Sequence, residues 1–319
     1  MGGGSAKGAS AVLAKGAAAV LATAILWGVQ FPVAKDAFAA VDAWHVTAIR
    51  YGLGTLLLIP LFVAQEGRTA LDYRGRFWPA TVYGLVGMCA SPMLVFQGIA
   101  MSRPAHAAVI VALQPSMAAI ADWALRGRRP ANFTLGCIAV AFLGVLAVVT
   151  KGHPATMFGQ GELAGDFVIL LGAACWVAYT MATENFRGWS ALRFTVLTIV
   201  PGTIGCLAVA ALLDAAGVAT VPGADDLLSV GWQLAYLTIG GIVVSMICWN
   251  WGNQRIGALN TMLLLNAVPV VTFATGLAQG HRFEPVELAG ALVVIAALVA
   301  NNLYLRRASA RKATKESLA

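Results

Sequence analysis

The chain has 319 residues, of which 59% are hydrophobic and only 11% are charged, and its formal net charge is +7. A soluble domain has about 25% charged residues, so this composition excludes an ordinary soluble protein. A nucleic-acid partner is not expected from the positive charge, because the position of the charges matters more than their sum. Here they stand between long apolar runs.

Ten apolar segments are long enough to cross a membrane. A bilayer core about 30 Å thick needs about 20 apolar residues per helix. The segments are 17–37, 44–64, 77–98, 104–124, 133–150, 165–184, 192–213, 230–253, 259–279 and 287–305. The links between them are short, so nearly the whole chain is predicted to lie in the membrane. We expect 1–16 to be a disordered N-terminal tail and 306–319 to be a basic cytoplasmic tail.

Lysine and arginine are distributed unevenly between the alternating links. With the N-terminus placed in the cytoplasm, sixteen of them lie on the cytoplasmic side and only four lie outside. The four are Lys35, Arg103, Lys151 and Arg282. Cytoplasmic links of membrane proteins are enriched in these residues. Both termini are therefore predicted to face the cytoplasm.

The two halves of the chain follow the same plan. Each half, 17–150 and 165–305, has five spans, and an odd number makes the second half enter the membrane from the opposite side. The stretch 103–136 has a proline in the middle of an apolar run and then a basic turn, and the stretch 257–290 repeats this arrangement. The chain is therefore predicted to be an all-α membrane protein with ten transmembrane helices, built as two inverted five-helix repeats.

Pro115 and Pro269 occupy matching positions in the fourth span of each half. Proline removes a backbone hydrogen bond and pushes against the preceding helical turn, and in lipid the freed carbonyl needs another partner. Membrane helices also tolerate proline without any function. A matched pair, however, favours breaks beside a substrate path, and we predict helix breaks at Pro115 and Pro269.

Uncharged polar and aromatic side chains recur inside the predicted spans. An amide without a partner in hydrocarbon is costly, so these groups should face protein or water. They are Gln30, Tyr83, Gln97, Gln114, Trp176, Tyr179, Trp249, Asn250, Asn253, Asn260 and Asn266. They can simply join helices, but as a set they indicate a cavity with aromatic walls and neutral hydrogen-bonding groups. Such a cavity suits a small amphipathic or zwitterionic solute.

Two charged residues fall within the predicted spans. Asp122 has a partner one turn away in Arg126, which favours a structural ion pair. Arg50 lies about two turns from the outer end of the second span, where helix packing and substrate binding are equal alternatives. No carboxylate is predicted at mid-membrane, which weakens the case for a proton-driven antiporter.

Enzyme signatures are absent from the sequence. It has no HExxH, GxSxG or P-loop pattern, and its five cysteines all fall inside apolar runs without a CxxC pair. The four histidines are scattered along the predicted outer side. We therefore expect no catalytic residue, no cofactor and no metal, and a membrane-embedded enzyme or sensor is only a remote alternative.

Two stretches resemble a known family. They look like EamA-type transporters of the drug/metabolite transporter superfamily. Their sequences are FQGIAMSRPAHAAVIVALQPSMAAIADWALRGRRPANFTLG and NWGNQRIGALNTMLLLNAVPVVTFATGLAQGHRFEPVELAG. The resemblance extends over nearly all ten spans and implies two five-helix halves. In that family, Glu usually precedes the proline and Gly-Glu forms the turn. This chain has Gln114 and Val268 before the prolines and Arg128 and His281 after the glycines, which puts a role for the family's glutamates in question.

Within that family, the tryptophan-rich and charge-poor interior is most similar to the YddG-type amino-acid exporters. The resemblance implies export of aromatic and other neutral amino acids across the bacterial inner membrane. It also implies a central cavity lined by the first, third, fourth, sixth, eighth and ninth spans, with the fifth and tenth peripheral. The side chains expected to face this cavity are Gln30, Tyr83, Gln97, Gln114, Trp176, Tyr179, Trp249 and Asn253.

We therefore expect a monomeric secondary transporter that works by alternating access. Its expected partners are a small-molecule substrate and the lipid bilayer. A multidrug or cationic-compound exporter of the same superfamily is the alternative, and competition by hydrophobic cations instead of amino acids would reveal it.

Overall fold

A computed structural model describes residues 3–153 and 162–318. The spans are α1 (Gly3–Ala37), α2 (Ala43–Glu66), α3 (Phe77–Met101), α4 (Pro104–Ala112 and Gln114–Arg126), α5 (Asn132–Thr150), α6 (Glu162–Ala182), α7 (Ala191–Ala215), α8 (Gly231–Ile256), α9 (Ala258–Leu265 and Ala267–Ala278) and α10 (Pro285–Leu318). Within the described residues, nine spans are long and apolar enough to cross a membrane, and the two bent pieces of α4 make a tenth. The predicted all-α fold with ten spans is confirmed.

The first and last helices are longer than the sequence analysis predicts. α1 begins at Gly3, so residues 3–16 are helical instead of forming a disordered tail, and α10 continues as a helix to Leu318. The C-terminal extension is rich in alanine, lysine and arginine, which favour helix even without tertiary contacts.

The helices of the two halves pack in matching pairs. α1 packs against α8 and α9 of the second half, and α6 packs in the same way against α3 and α4 of the first half. α2 packs against α7, and α5 against α10. Each contact therefore has a counterpart in which the halves exchange roles, as an inverted repeat requires.

The contact between α5 and α10 depends on two glycines. A Cβ atom on Gly144 would lie 2.8 Å from the Gly290 carbonyl oxygen, and one on Gly290 would lie 2.7 Å from the Gly144 oxygen. Small residues allow such close approach between membrane helices. Gly136, which matches Gly290 in the sequence repeat, faces open space. The repeat in sequence therefore does not extend to the packing of these glycines.

Both halves have a π-helical segment in the third helix. It spans Leu85–Ala90 in α3 and Tyr236–Val244 in α8. A π-helical turn has more residues than an α-helical one, so it rotates the faces of a helix relative to each other, and it is frequent at functional sites. No pattern in the sequence predicts these segments.

The fourth helix of each half is interrupted close to its proline. α4 bends by 42° between its two pieces. The interruptions lie at Leu113 in α4 and Asn266 in α9, two residues before Pro115 and three residues before Pro269. Proline cannot donate to the carbonyl four residues earlier, so the hydrogen-bond ladder fails in the turn that precedes it.

The starts of α3 and α8 mark opposite edges of the apolar surface. Trp78 and Trp232 stand at these positions and are 74% and 60% exposed. Tryptophan is enriched where a membrane protein meets the lipid headgroups. Because α3 and α8 are counterparts in an inverted repeat, the two side chains lie at opposite ends of the helix bundle, as expected for the two membrane interfaces.

Candidate functional site

A cavity of about 560 Å³ lies between the two halves. Its lining comes from α1, α2, α3, α4, α6, α7, α8 and α9 and from the connection between α6 and α7. Among the described residues, α5 and α10 contribute no lining side chain. The cavity thus includes the six helices that the family resemblance implies, together with parts of α2 and α7. Its volume is typical of sites for single small molecules.

Six of the eight side chains predicted to face a cavity line this one. They are Gln30, Gln114, Trp176, Tyr179, Trp249 and Asn253. Pro115 also lines the cavity, whereas Pro269 is buried and does not line it, although its neighbour Val268 does. The structure therefore brings predicted residues from four different helices together at one place.

Tyr83 and Gln97 do not line the cavity, which corrects this part of the prediction. The hydroxyl of Tyr83 accepts a hydrogen bond from Asn185 Nδ2 at 3.3 Å, and its ring packs edge-on against Phe186, which does line the cavity. Gln97 comes two residues after Val95, a lining residue. At about 100° of rotation per residue, this places Gln97 on the opposite face of α3.

The aromatic wall includes a side chain that the prediction omitted. Trp27 of α1 lies with its ring centroid 5.6 Å from that of Trp249, and its Nε1 donates to the Gly241 carbonyl oxygen at 3.2 Å. In the second half, the rings of Trp176 and Tyr179 are 5.3 Å apart. Trp27 and Trp176 occupy corresponding positions in the sequence repeat, so the repeat alone was a signal that could have added Trp27 to the predicted set.

Arg50 is the one charged residue among the described side chains that line the cavity. It is only 4% exposed, and its NH1 donates to Gln30 Oε1 at 3.0 Å. The guanidinium carbon lies 3.8 Å from the centroid of the Phe96 ring. Its buried Nε has no hydrogen-bond partner.

The amide side chains of α8 and α9 add unused hydrogen-bonding groups. Asn253 Oδ1 and Asn266 Nδ2 are buried without a partner, and both residues line the cavity. Asn250 also lines it, and its Nδ2 donates to the Met246 carbonyl oxygen at 2.8 Å. Buried polar groups normally have partners. A bound solute with donors and acceptors would satisfy Asn253 and Asn266.

One end of the cavity reaches the connection between α6 and α7. Thr183, Phe186, Trp189 and Ser190 from this connection belong to the lining. The connections α1–α2 and α3–α4 lie at the opposite ends of their helices, and among the described residues neither contributes to the lining. The cavity therefore extends toward one side of the membrane.

A buried hydrogen-bonded cluster lies at the opposite end. Asp166 of α6 accepts from Ser102 Oγ at 2.5 Å and lies 3.0 Å from His106 Nδ1 of α4. All three side chains are buried. Next to them, Lys35 Nζ donates to three carbonyl oxygens at the C-terminal end of α3, each at 2.8 Å. These contacts join α1 to the end of α3, join that end and α4 to α6, and close this end.

Further polar contacts lie at the same end. His45 of α2 lies 2.6 Å from Asp42 and 3.2 Å from Asp214 at the end of α7. Arg103 pairs with Glu287 of α10 at 2.5 Å. They connect the first half to the second half, and together with the cluster around Asp166 they hold the closed end together.

The predicted pair of Asp122 and Arg126 is present at the other end of α4, with an N–O distance of 3.2 Å. Arg126 also pairs with Glu184 after α6 at 2.7 Å. The side chains of Arg126 and Glu184 are 31% and 58% exposed. Exposed pairs of this kind contribute little to stability.

Comparison with known proteins identifies the family. The profile of the EamA-like transporter family matches the chain twice, over residues 14–150 and 163–303. The uncharacterized transporter YrdR of Bacillus subtilis is 31% identical over 297 residues, which cover 92% of each chain. The threonine/homoserine exporter RhtA of Escherichia coli K12 is 25% identical, over 87% of this chain and 88% of that protein.

A solved crystal structure has the same fold. Its TM-score to this structure is 0.63, with 19% sequence identity, and the match covers 92% of this chain and 98% of the other. The two family matches coincide with the two five-helix halves, α1–α5 and α6–α10. The chain is a multi-pass membrane protein that belongs to the EamA-like transporter family.

Proposed function

We propose that this protein is a secondary transporter that exports neutral amino acids, including aromatic ones, by alternating access. The observation that carries the proposal is the cavity between the two halves, which has aromatic walls, unsatisfied amides and one closed end. Aromatic side chains provide a large apolar contact area for an amino-acid side chain. The amides provide hydrogen bonds to its polar groups.

The lining chemistry favours a zwitterion over a simple cation. Among the described residues, no Asp or Glu lines the cavity. A site for hydrophobic cations would be expected to place a carboxylate there, although aromatic faces alone attract cations as well. The threonine/homoserine exporters among the relatives add support for an amino-acid substrate.

The proposed substrate site consists of the six predicted side chains that line the cavity, with Trp27 in addition. The interrupted helices α4 and α9 are the proposed hinges, because the N–H groups of Leu113 and Asn266 donate to the carbonyl three residues earlier, as in a 3₁₀ turn. The cavity is complete within one chain, so we propose the monomer as the working unit.

The charge distribution of the links supports an orientation with both termini in the cytoplasm of a bacterial cell, in the inner membrane. In this orientation the cavity extends toward the cytoplasm, where an exporter binds its substrate. Arg128 and Arg282 are both exposed and lie on opposite sides. In a cysteine-free background, an impermeant maleimide added to intact cells should label Arg282→Cys and spare Arg128→Cys. The reverse pattern would contradict this orientation.

Transport itself is tested by counterflow in liposomes. Liposomes that contain the purified protein and are loaded with unlabelled phenylalanine, threonine or homoserine should accumulate the same labelled amino acid from outside. Liposomes without the protein should not. Hydrophobic cations should compete weakly. Exchange of cations alone, or of no amino acid by correctly folded protein, would show that the proposed substrate class is wrong.

A further inference from the structure

We infer that Arg50 binds the carboxylate group of the substrate, so that the cavity selects solutes with a carboxylate over the corresponding amines. The inference rests on the proposed transport function and adds the chemical group that is recognised and the residue that recognises it. Three observations support the inference: Arg50 is buried without a counter-charge, the space beside it is open to the cavity, and the aromatic wall lies close to it.

The charge of Arg50 is buried, which is costly. Arg50 is 4% exposed and lies inside α2. Ionisable groups at this depth are expensive and are normally paired or placed at a functional site. In the part of the chain that the structure describes, its side chain contacts only neutral groups, which include the Gln30 amide oxygen and the ring of Phe96. Neither compensates a full positive charge.

Other basic residues of the helix ends are compensated, which makes Arg50 different. Arg103 pairs with Glu287, and Lys151 with Glu162. Arg193, equally buried in α7, interacts electrostatically with the carboxylates of Asp72 and Glu66. Each of these three cations thus has a carboxylate nearby. At Arg50 the missing anion is expected to come from a ligand.

The space beside Arg50 is open on the side of the cavity. Gly241 of α8 faces it: a Cβ atom at this position would lie 3.2 Å from Gln30 Oε1 and 3.8 Å from Arg50 NH1. Because glycine has no side chain, the approach to Arg50 from the cavity stays open. A planar guanidinium binds a carboxylate through two parallel hydrogen bonds.

The aromatic wall of the cavity lies next to Arg50. The carbonyl of Gly241 accepts the hydrogen bond from Trp27, and Trp27 packs against Trp249. A carboxylate bound at Arg50 therefore places the rest of an amino acid beside two indole rings. Neutral amino acids provide a carboxylate and an apolar side chain close together, and their decarboxylated amines lack the group that Arg50 requires.

The experiment compares phenylalanine with its two truncated analogues in liposomes that contain purified protein. Counterflow of labelled phenylalanine is measured in the presence of phenethylamine, which lacks the carboxylate, or 3-phenylpropionate, which lacks the ammonium. We expect 3-phenylpropionate to compete. Phenethylamine should compete at least about tenfold less well, because it cannot form the charge-assisted contact with Arg50. Arg50→Gln should raise the KM for phenylalanine and abolish competition by 3-phenylpropionate, and Arg50→Lys should restore part of it.

Arg193→Gln is the matched control, because it removes a second buried arginine that does not line the cavity. It should keep the wild-type order of competitors. Equal competition by phenethylamine and 3-phenylpropionate in the wild type would overturn the inference, and so would an unchanged KM in Arg50→Gln. The wild-type comparison remains decisive if Arg50→Gln fails to fold.

A binding measurement separates this inference from the proposed function. 3-Phenylpropionate should raise the melting temperature of the detergent-solubilised wild type and of Arg193→Gln, but not that of Arg50→Gln. If no amino acid is transported and this pattern still appears, the proposed function fails and the carboxylate site stands. If phenylalanine is transported and the stabilisation does not depend on Arg50, the inference fails alone.

Discussion

Trp249 forms the part of the cavity wall that both halves share. It contacts Trp27 of the first half and lies on α8 of the second half. A large apolar ring at this position is expected to contact the apolar part of a substrate. Loss of an aromatic contact of this kind costs about 1 kcal/mol beyond the lost area.

We predict that Trp249→Leu raises the KM for phenylalanine roughly tenfold, because about 1.4 kcal/mol of binding corresponds to one decade. The measurement is the initial rate of uptake into liposomes as a function of phenylalanine concentration. Trp251→Leu is the control, since Trp251 lies two residues away, is exposed and does not line the cavity. Equal KM values for the two variants would argue against a substrate contact at Trp249.

The residues of the site were predictable where polarity alone identifies them. Gln30, Gln114 and Asn253 are amides in apolar helices, and such groups must face protein or water. Tyr83 and Gln97 meet the same condition but do not line the cavity, and they lie on either side of the π-helical segment of α3. Arg50 could be recognised as unusual from the sequence, but its lack of a partner depends on packing.

At the scale of helices, α4 and α9 combine an interruption with a nearby proline. The turn around Leu113 lies between a piece of α4 fixed at the closed end by His106 and a piece that lines the cavity with Gln114. Movement of one piece relative to the other would open or close the path. Hinges of this kind often control turnover more than binding.

We predict that Pro115→Ala lowers the rate of turnover roughly fivefold with little change in KM, because a restored hydrogen bond to the Val111 carbonyl stiffens the hinge. Its thermal stability should equal or exceed that of the wild type. Pro60→Ala is the control, since Pro60 lies in α2, which runs without interruption. The test is the maximal uptake rate in liposomes. Unchanged turnover in Pro115→Ala would remove α4 as the hinge.

A second prediction for the helices concerns the peripheral pair α5 and α10. Gly144→Val should lower the stability in detergent by about 1–3 kcal/mol, because the new side chain meets the α10 backbone at Gly290. Gly136→Ala should be neutral or stabilising by up to about 1 kcal/mol, since its surroundings are open and alanine favours helix. Thermal unfolding of both variants checks this pair of outcomes. Equal stability would show that α5 and α10 do not pack closely in the membrane.

The bounds of the helices could be predicted from the length of the apolar runs and from the turn residues between them. The irregularities within the helices could be predicted only in part. The two prolines indicated breaks, and the interruptions indeed lie within three residues of them. The π-helical segments of α3 and α8 left no comparable signal, since Gly87 and Gly241 within them are common in membrane helices. In the folded chain, the segment of α3 contacts α6 and α7, and that of α8 contacts α1 and α2.

For the whole molecule, the odd number of spans in each half determines the architecture. Five spans per half make the second half an inverted copy of the first, and the matching pairs of packed helices follow from it. The sequence could therefore predict the repeat and the place of the cavity. It could not predict which end is closed, because His106, Ser102 and Asp166 meet only in the folded chain.

The most direct test of the central claim is whether substrate occupies the cavity between the halves. In a cysteine-free background that retains transport, Asn253→Cys places a thiol in the lining, and Gln254→Cys places one on the exposed side of the same helix. The rate of alkylation by a membrane-permeant maleimide is measured with and without phenylalanine. At ten times its Kd, phenylalanine should slow alkylation of Asn253→Cys about tenfold by mass action and leave Gln254→Cys unchanged. Unchanged alkylation of Asn253→Cys in protein that still transports phenylalanine would contradict the account.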